Sequence, residues 1–277
     1  MKFDLCERAA EHRLIVAHRG VSGGNIPCNT LTSYEIALLQ GADMLETDLN
    51  TTADGKLIIL HPGMERGHLG VDCDVTKMTF EEVQALRYVN YDRTRTQFGL
   101  VSFDDFLETF RGRCFINVDK FWGNPEAIYH AIKRHGMLDQ VLVKSTVSEE
   151  ILRVLEELAP ELAFMPLVSE EHPMHEALMR RHLNYVGVEV LFREEDSQLA
   201  SSDFIEQMHR DGKLVWVNSI IYNCRRQLSG GHSDDTAFTE SMDYGWGWLA
   251  DRNFDLIQTD WTGMLVDYLK RTGRYLR

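Results

Sequence analysis

The chain reads as an α/β protein of the TIM (β/α)8 barrel class, a closed ring of parallel strands with helices outside. Three observations predict this. Short apolar, β-branched runs recur eight times, and amphipathic stretches of helix length fill most of the gaps between them. The length of 277 residues, 44% hydrophobic, suits one core, since such barrels of about 250 residues commonly form a single domain. The strands are expected at 14–18, 43–49, 115–119, 141–145, 163–168, 186–191, 214–218 and 255–259. Helices are expected over 30–40, 125–136, 149–159, 171–182, 203–211, 240–252 and 262–271.

The elements carry their own signals in order. The first strand, Leu14-Ile15-Val16-Ala17, runs into His18-Arg19-Gly20. Imidazole moves protons near neutral pH and guanidinium grips phosphate oxygens in a fork, so the pair suits an anionic group. In the second strand, Glu46 and Asp48 share a face because side chains alternate, while Leu45, Thr47 and Leu49 face the other way. Two carboxylates side by side repel, and a divalent metal between them is the economical explanation. Asp54-Gly55 is a hairpin signal; with those two residues as the loop, Ala53 pairs with Lys56 and Asp48 falls opposite His61.

The long connection 62–111 reads as an insertion within one domain, 1–277. Thr79-Phe80-Glu81-Glu82 and Ser102-Phe103-Asp104-Asp105 each place a hydroxyl residue three before an acid, which marks helix starts. Farther along, Ser229-Gly230-Gly231-His232-Ser233 reads as a loop, and His232-Ser233-Asp234-Asp235 as a lid or a surface turn. In a barrel, chemistry belongs at the C-terminal strand ends, where His18, Asp48, Asp119, Lys144, Glu189, Asn218 and Asp260 fall. Each also has a plain reading as a helix cap or an ion-pair partner. Trp261 and the aromatics Phe121, Trp122, Trp216, Tyr244, Trp246 and Trp248 either wall a pocket or pack barrel against helices.

Composition limits the function. The formal charge of −14, from 43 acidic and 29 basic side chains, argues against a surface that tracks nucleic-acid phosphates. Cys6, Cys28, Cys73, Cys114 and Cys224 are odd in number and scattered, as expected of reduced thiols in a cytoplasmic protein. MKFDLCERAAEHR has charges throughout and reads as neither signal peptide nor membrane anchor. A homodimer is left open.

Taken together, His18-Arg19-Gly20, Pro27, Asn29-Thr30, Gly41-Ala42, Glu46-Thr47-Asp48, Asp54-Gly55, His61, Asn117-Val118-Asp119-Lys120 and Ile257-Gln258-Thr259-Asp260 resemble the glycerophosphodiester phosphodiesterase family over nearly the whole chain. The resemblance implies hydrolysis of a small-molecule glycerophosphodiester to sn-glycerol 3-phosphate and an alcohol. It also implies Mg²⁺ or Ca²⁺ held by Glu46, Asp48 and Asp119, acid and base roles shared between His18 and His61, and Arg19 on a non-bridging oxygen.

The sequence departs from the family pattern at three points. Cys28 stands where the family has a glutamate, and Pro62 where it has an aspartate after the histidine. The third-strand lysine, two residues past the acid in the family, is here Lys120, directly after Asp119 and of the wrong parity for a regular strand. Either the strand has ended there or another cation serves; Lys144 is expected as the phosphate cation, with Lys120 pairing locally, and Glu189 and Trp261 complete the expected substrate contacts. Two other readings stand beside this one. The layout also resembles sphingomyelinase-D-like enzymes, which form a cyclic phosphate, and the losses at Cys28 and Pro62 allow a catalytically silent barrel binding a phosphorylated metabolite.

Overall fold

All eight expected strands form, and each pairs in parallel with its neighbours until the ring closes. In the computed structural model, which describes residues 3–221 and 227–277, the barrel strands are β1 (Leu14–His18), β2 (Met44–Thr51), β5 (Phe115–Asp119), β6 (Val141–Ser145), β7 (Ala163–Ser169), β8 (Gly187–Leu191), β9 (Leu214–Asn218) and β10 (Leu256–Thr259). β1 pairs with both β2 and β10, which closes the barrel. β3 (Leu57–Ile59) and β4 (Val101–Ser102) are short antiparallel additions beyond the end of β2. Cys224 and the rest of 222–226 lie outside the described residues; Cys6, Cys28, Cys73 and Cys114 are free thiols.

The period of two sorts each strand into two faces. Outward residues such as Ile15, Leu45, Ile116, Val143, Val188 and Val215 pack under the helices in one large core. Inward residues Leu14, Val16, Met44, Phe115, Leu142, Met165, Trp216 and Leu256 fill the lower barrel. Leu5 and Ala9, from the helix Leu5–Glu11, plug it from below. The same inward face turns polar toward the strand ends, reaching His18, Glu46, Asp48, Asn117, Asp119, Lys144, Glu189 and Asn218. Sequence order along each strand thus becomes height in the barrel, apolar below and polar at the mouth.

The hairpin differs from expectation by one residue. Leu49 pairs with Ile59 and Thr51 with Leu57, so Asp48 lies opposite Leu60, whose N–H donates to the Asp48 carbonyl at 3.2 Å. The loop holds three residues rather than two, with Gly55 left-handed at φ 79° and Thr52 N–H bonded to the Lys56 carbonyl. A three-residue loop ending in a left-handed glycine is a favoured hairpin form. It shifts the partner strand by one position.

Helix starts follow the caps read from sequence. Thr30 and Thr79 form capping boxes, and Ser102 caps Phe103–Phe110. That last helix contributes Phe103, Phe106, Leu107 and Phe110 to the main core, so it is a barrel helix rather than part of a separate insertion. The rest of 62–111 has its own small core of Leu69, Val75, Val83, Tyr88 and Leu100 against Ile58 and Leu60. The helix expected over 171–182 shrinks to His175–Met179, because Pro173 disfavours helix in the residue before it. The one expected over 240–252 divides into a π-helical turn, Asp243–Gly247, and Trp248–Asp251. The segment read as a lid or surface turn is neither: His232, Ser233 and Asp234 are buried, and Ser233 caps a helix over Asp234–Thr239.

Candidate active site

Strand register assembles the mouth. His18 on β1 pairs with Glu46 on β2, and Asp48 on β2 pairs with Asp119 on β5. Glu46, Asp48 and Asp119 each present a carboxylate oxygen, all within 4.8 Å of one another. Glu46 is 2% exposed and Asp48 fully buried. Burial, reinforced by the charge of Asp48, holds the Glu46 carboxyl well above the usual range. For Asp119 burial acts in the same direction, but Lys144 and Lys120 outweigh it and keep that carboxyl low.

The surrounding contacts are anchored by backbone strain. Arg19 and Gly20 are both left-handed, at φ 58° and 75°. A Cβ on Gly20 would lie 2.6 Å from the Ser33 carbonyl carbon, so only glycine lets β1 turn this tightly against the next helix. The turn brings the Arg19 N–H to Glu46 Oε2 at 3.1 Å and Arg19 Nε to within 2.7 Å of Asp48 Oδ2. Asn29, also left-handed at φ 58°, donates through Nδ2 to Asp48 Oδ2 at 3.4 Å and is itself held by the Tyr34 hydroxyl. Asp48 Oδ1 nonetheless has no hydrogen bond among the described residues. A buried carboxylate oxygen without a donor, facing two more carboxylates, fits a hard divalent cation.

The two histidines are in different settings. His18 Nδ1 lies 2.8 Å from Asp260 Oδ1. Burial opposes a charge on this ring, but the bond and charge of Asp260, with the charge of Glu46, raise its pKa overall. His61 Nδ1 donates to the Pro62 carbonyl at 2.8 Å, which leaves Nε2, 3.9 Å from Asp48 Oδ1, as the nitrogen with a lone pair. Burial lowers its pKa, and Arg19 and Lys120 add to this against the pull of Asp48. The Pro62 carbonyl thus orients the ring where the family pattern has an aspartate. Cys28, in place of the family's glutamate, is a neutral thiol beside Arg19, pushed up to about 12 by burial.

Lys120 pairs locally, with the adjacent Asp119. It is not carried to the far face, because β5 ends at Asp119 and Lys120 turns left-handed at φ 63°. Its Nζ reaches Asp119 Oδ2 at 2.5 Å and lies 3.8 Å from Asp48 Oδ1. Lys144, by contrast, is buried below the mouth, 2.7 Å from Glu189 Oε2 and 4.0 Å above the Trp216 ring centre. Asn218 Nδ2 donates to the other Glu189 oxygen at 2.6 Å. These two share a small cavity of about 40 Å³ with His18, Arg19, Glu46 and Asp119.

This division predicts separable effects. Lys144→Met should chiefly destabilise the fold, by about 3–5 kcal/mol, because it leaves a buried carboxylate unpaired. Lys120→Met should leave the melting temperature nearly unchanged while lowering kcat/KM by about 10- to 100-fold. Thermal melts and kinetics on both variants check this, and the opposite assignment of effects would support Lys144 as the phosphate cation, as the sequence leads one to expect.

The open side of the mouth is a pocket of about 680 Å³ lined by His18, Arg19, Cys28, Asp260, Trp261 and Met264, among others. Trp261 is 51% exposed there, whereas Phe121, Trp216 and Trp246 are buried packing residues. Tyr88 and His68 from the 62–111 connection line a second hollow, of about 390 Å³, on the other side of Cys28. Sequence reading gives no role to Asn29 beyond opening a helix, nor to Asp260 beyond a place in the strand-end ring. Their roles come from contacts across 19 and 242 residues of chain.

Fold and site together define a TIM barrel with a cation-compatible carboxylate cluster between two histidines at its mouth. A sequence-family model described as a domain of unknown function matches residues 164–269. A Bacillus subtilis glycerophosphodiester phosphodiesterase is 30% identical over 175 residues, 56% of this chain and 59% of its own length. The Haemophilus influenzae glycerophosphodiester phosphodiesterase is 24% identical over 271 residues, 87% of this chain and 71% of that one. A probable glycerophosphodiester phosphodiesterase from Mycobacterium tuberculosis matches over 83 residues, 30% of its own length.

The barrel superposes on a glycerophosphoryl diester phosphodiesterase from Parabacteroides distasonis with a TM-score of 0.77, at 18% identity, covering 95% of this chain and 88% of that one. It also superposes on an Oleispira antarctica phosphodiesterase in complex with the product sn-glycerol-3-phosphate, with a TM-score of 0.69 at 19% identity, covering 94% and 97%. The chain is thus similar in sequence to relatives named glycerophosphodiester phosphodiesterase, and it shares its fold with solved structures of that name.

Proposed function

We propose that this chain is a metal-dependent phosphodiesterase that hydrolyses glycerophosphodiesters to sn-glycerol 3-phosphate and an alcohol, working as one domain over 1–277. The observation that carries the reading is the carboxylate trio Glu46, Asp48 and Asp119, the first two buried, set between His18 and His61. Those three carboxylates would hold Mg²⁺ or Ca²⁺, hard cations that prefer oxygen ligands. When bound, the ion would offset phosphate charge and make the nucleophile easier to deprotonate.

The chain's own groups divide the rest of the work. Arg19 and Lys120 flank the carboxylates, where they can take the phosphate's non-bridging oxygens. His61 Nε2 accepts the proton of the attacking water as its oxygen bonds to phosphorus. His18, favoured as imidazolium by Asp260, gives its proton to the alcohol oxygen as the P–O bond to that alcohol breaks. The departing alcohol lies on the His18 side, in the pocket walled by Trp261. The scattered free thiols support a cytoplasmic setting.

A panel of glycerophosphodiesters, each assayed with Mg²⁺, Ca²⁺ or Mn²⁺ and after chelation, tests this by ³¹P NMR. The expected result is glycerol 3-phosphate only when metal is present. A cyclic ester would favour intramolecular attack, and unchanged substrate under every condition a silent barrel.

A further inference from the structure

Asp234 is a buried acid, 3% exposed, with no part in the steps above. Its Oδ1 accepts from the Ser219 hydroxyl at 2.7 Å, Trp246 Nε1 at 2.7 Å and the Thr259 hydroxyl at 2.8 Å. Its Oδ2 accepts from the Asp260 backbone N–H at 2.8 Å. Asp260 in turn bonds His18 Nδ1 at 2.8 Å, and among the described residues its carboxylate meets no other donor. The Asp260 side chain is half-exposed at 51%, so its aim depends on the backbone that carries it.

Burying Asp234 carries a cost. Burial, with the nearby Asp260 charge, pushes it up to about 7 against the hydrogen bonds from Ser219, Asp260 and Trp246. A carboxylate suits the place because every neighbour is a donor, and only an acceptor with two oxygens meets them on both sides. We propose that Asp234 is a positioning residue: it pins the Asp260 backbone so that Asp260 holds the His18 ring in line to protonate the departing alcohol. This rests on His18 being the acid.

Asp234→Asn tests it. The amide oxygen will turn to the three donors at Oδ1, which sets the NH₂ group against the Asp260 N–H and frees that backbone while nearly preserving volume. The diagnostic is the leaving group, since an alkoxide needs a proton as it departs and p-nitrophenolate does not. For glycerophosphoethanolamine, kcat should fall about 10- to 100-fold with KM little changed, whereas the glycerophospho-p-nitrophenyl ester should lose less than about 3-fold.

Ser219→Ala removes a donor from Oδ1 but leaves the Asp260 contact, so it should lower the melting temperature without changing the ratio between the two esters. If Asp234→Asn does not fold, Asp234→Ser, smaller and without an amide, carries the same comparison. Equal losses on both esters, no loss on either, or a matching change of ratio in Ser219→Ala overturns the positioning role. A wild-type enzyme that cleaves neither ester overturns the hydrolase reading itself, and this inference with it.

Discussion

Glu46→Gln is expected to abolish most divalent-ion affinity and to lower kcat/KM by on the order of 10³, the scale of losing a preorganised charge-stabilising group together with the ion it holds. The variant keeps the shape of the side chain and one carbonyl oxygen but removes a charge from three carboxylates whose oxygens lie within 4.8 Å. Stability supplies the contrast. Without metal, the charged Glu46 opposes folding, so the glutamine variant should melt no lower than wild type, while the rise in melting temperature that added ion gives wild type should disappear.

The pH dependence has a definite sign. The folded Glu46 carboxyl titrates above its ordinary value, so the folded chain binds more protons than the unfolded one in that window. Metal-free stability therefore falls as pH rises from the ordinary value through the raised one. Metal affinity runs the other way, increasing over the same window as the competing proton leaves. Calorimetric titrations at several pH values check both, and an unchanged affinity in Glu46→Gln would remove this residue from the ligand set.

His18→Ala should cut turnover of alkyl diesters by about 10²- to 10⁴-fold, the usual contribution of a positioned proton donor, with little change in melting temperature. The ring sits at the mouth above the packed lower barrel, and its hydrogen bond is to a half-exposed acid. Removing it opens no cavity in the apolar core. The loss should be smaller for aryl leaving groups and should exceed that of Asp234→Asn, which only loosens the ring. A large drop in melting temperature with activity kept per folded molecule would make His18 a structural residue.

The eight strands, the helix caps and the shared face of Glu46 and Asp48 were legible in the sequence because each depends on local chemistry. Alternation with period two, hydroxyl caps and β-branched runs act within a few residues. Even where the hairpin loop proved one residue longer, His61 still came within 3.9 Å of Asp48, because β3 ends at Ile59 and His61, beyond the ladder, is not bound by its alternation. The helix over 171–182 shortened for a reason visible in the sequence, the proline at 173.

The sequence by itself determined the barrel, the acid pair and the histidine at the end of β1, since those follow from pattern along single strands. Only the tertiary structure decided how Lys120 comes to face the carboxylates. A single left-handed residue, Lys120, turns a side chain from one face to the other, and nothing local requires that conformation of a lysine. Burial likewise decided that Lys144 belongs to Glu189, and distant pairing decided that Asp260 and Asp234 stand behind His18. Those contacts join residues far apart in the chain, so their energies depend on closure of the ring rather than on any short stretch of it.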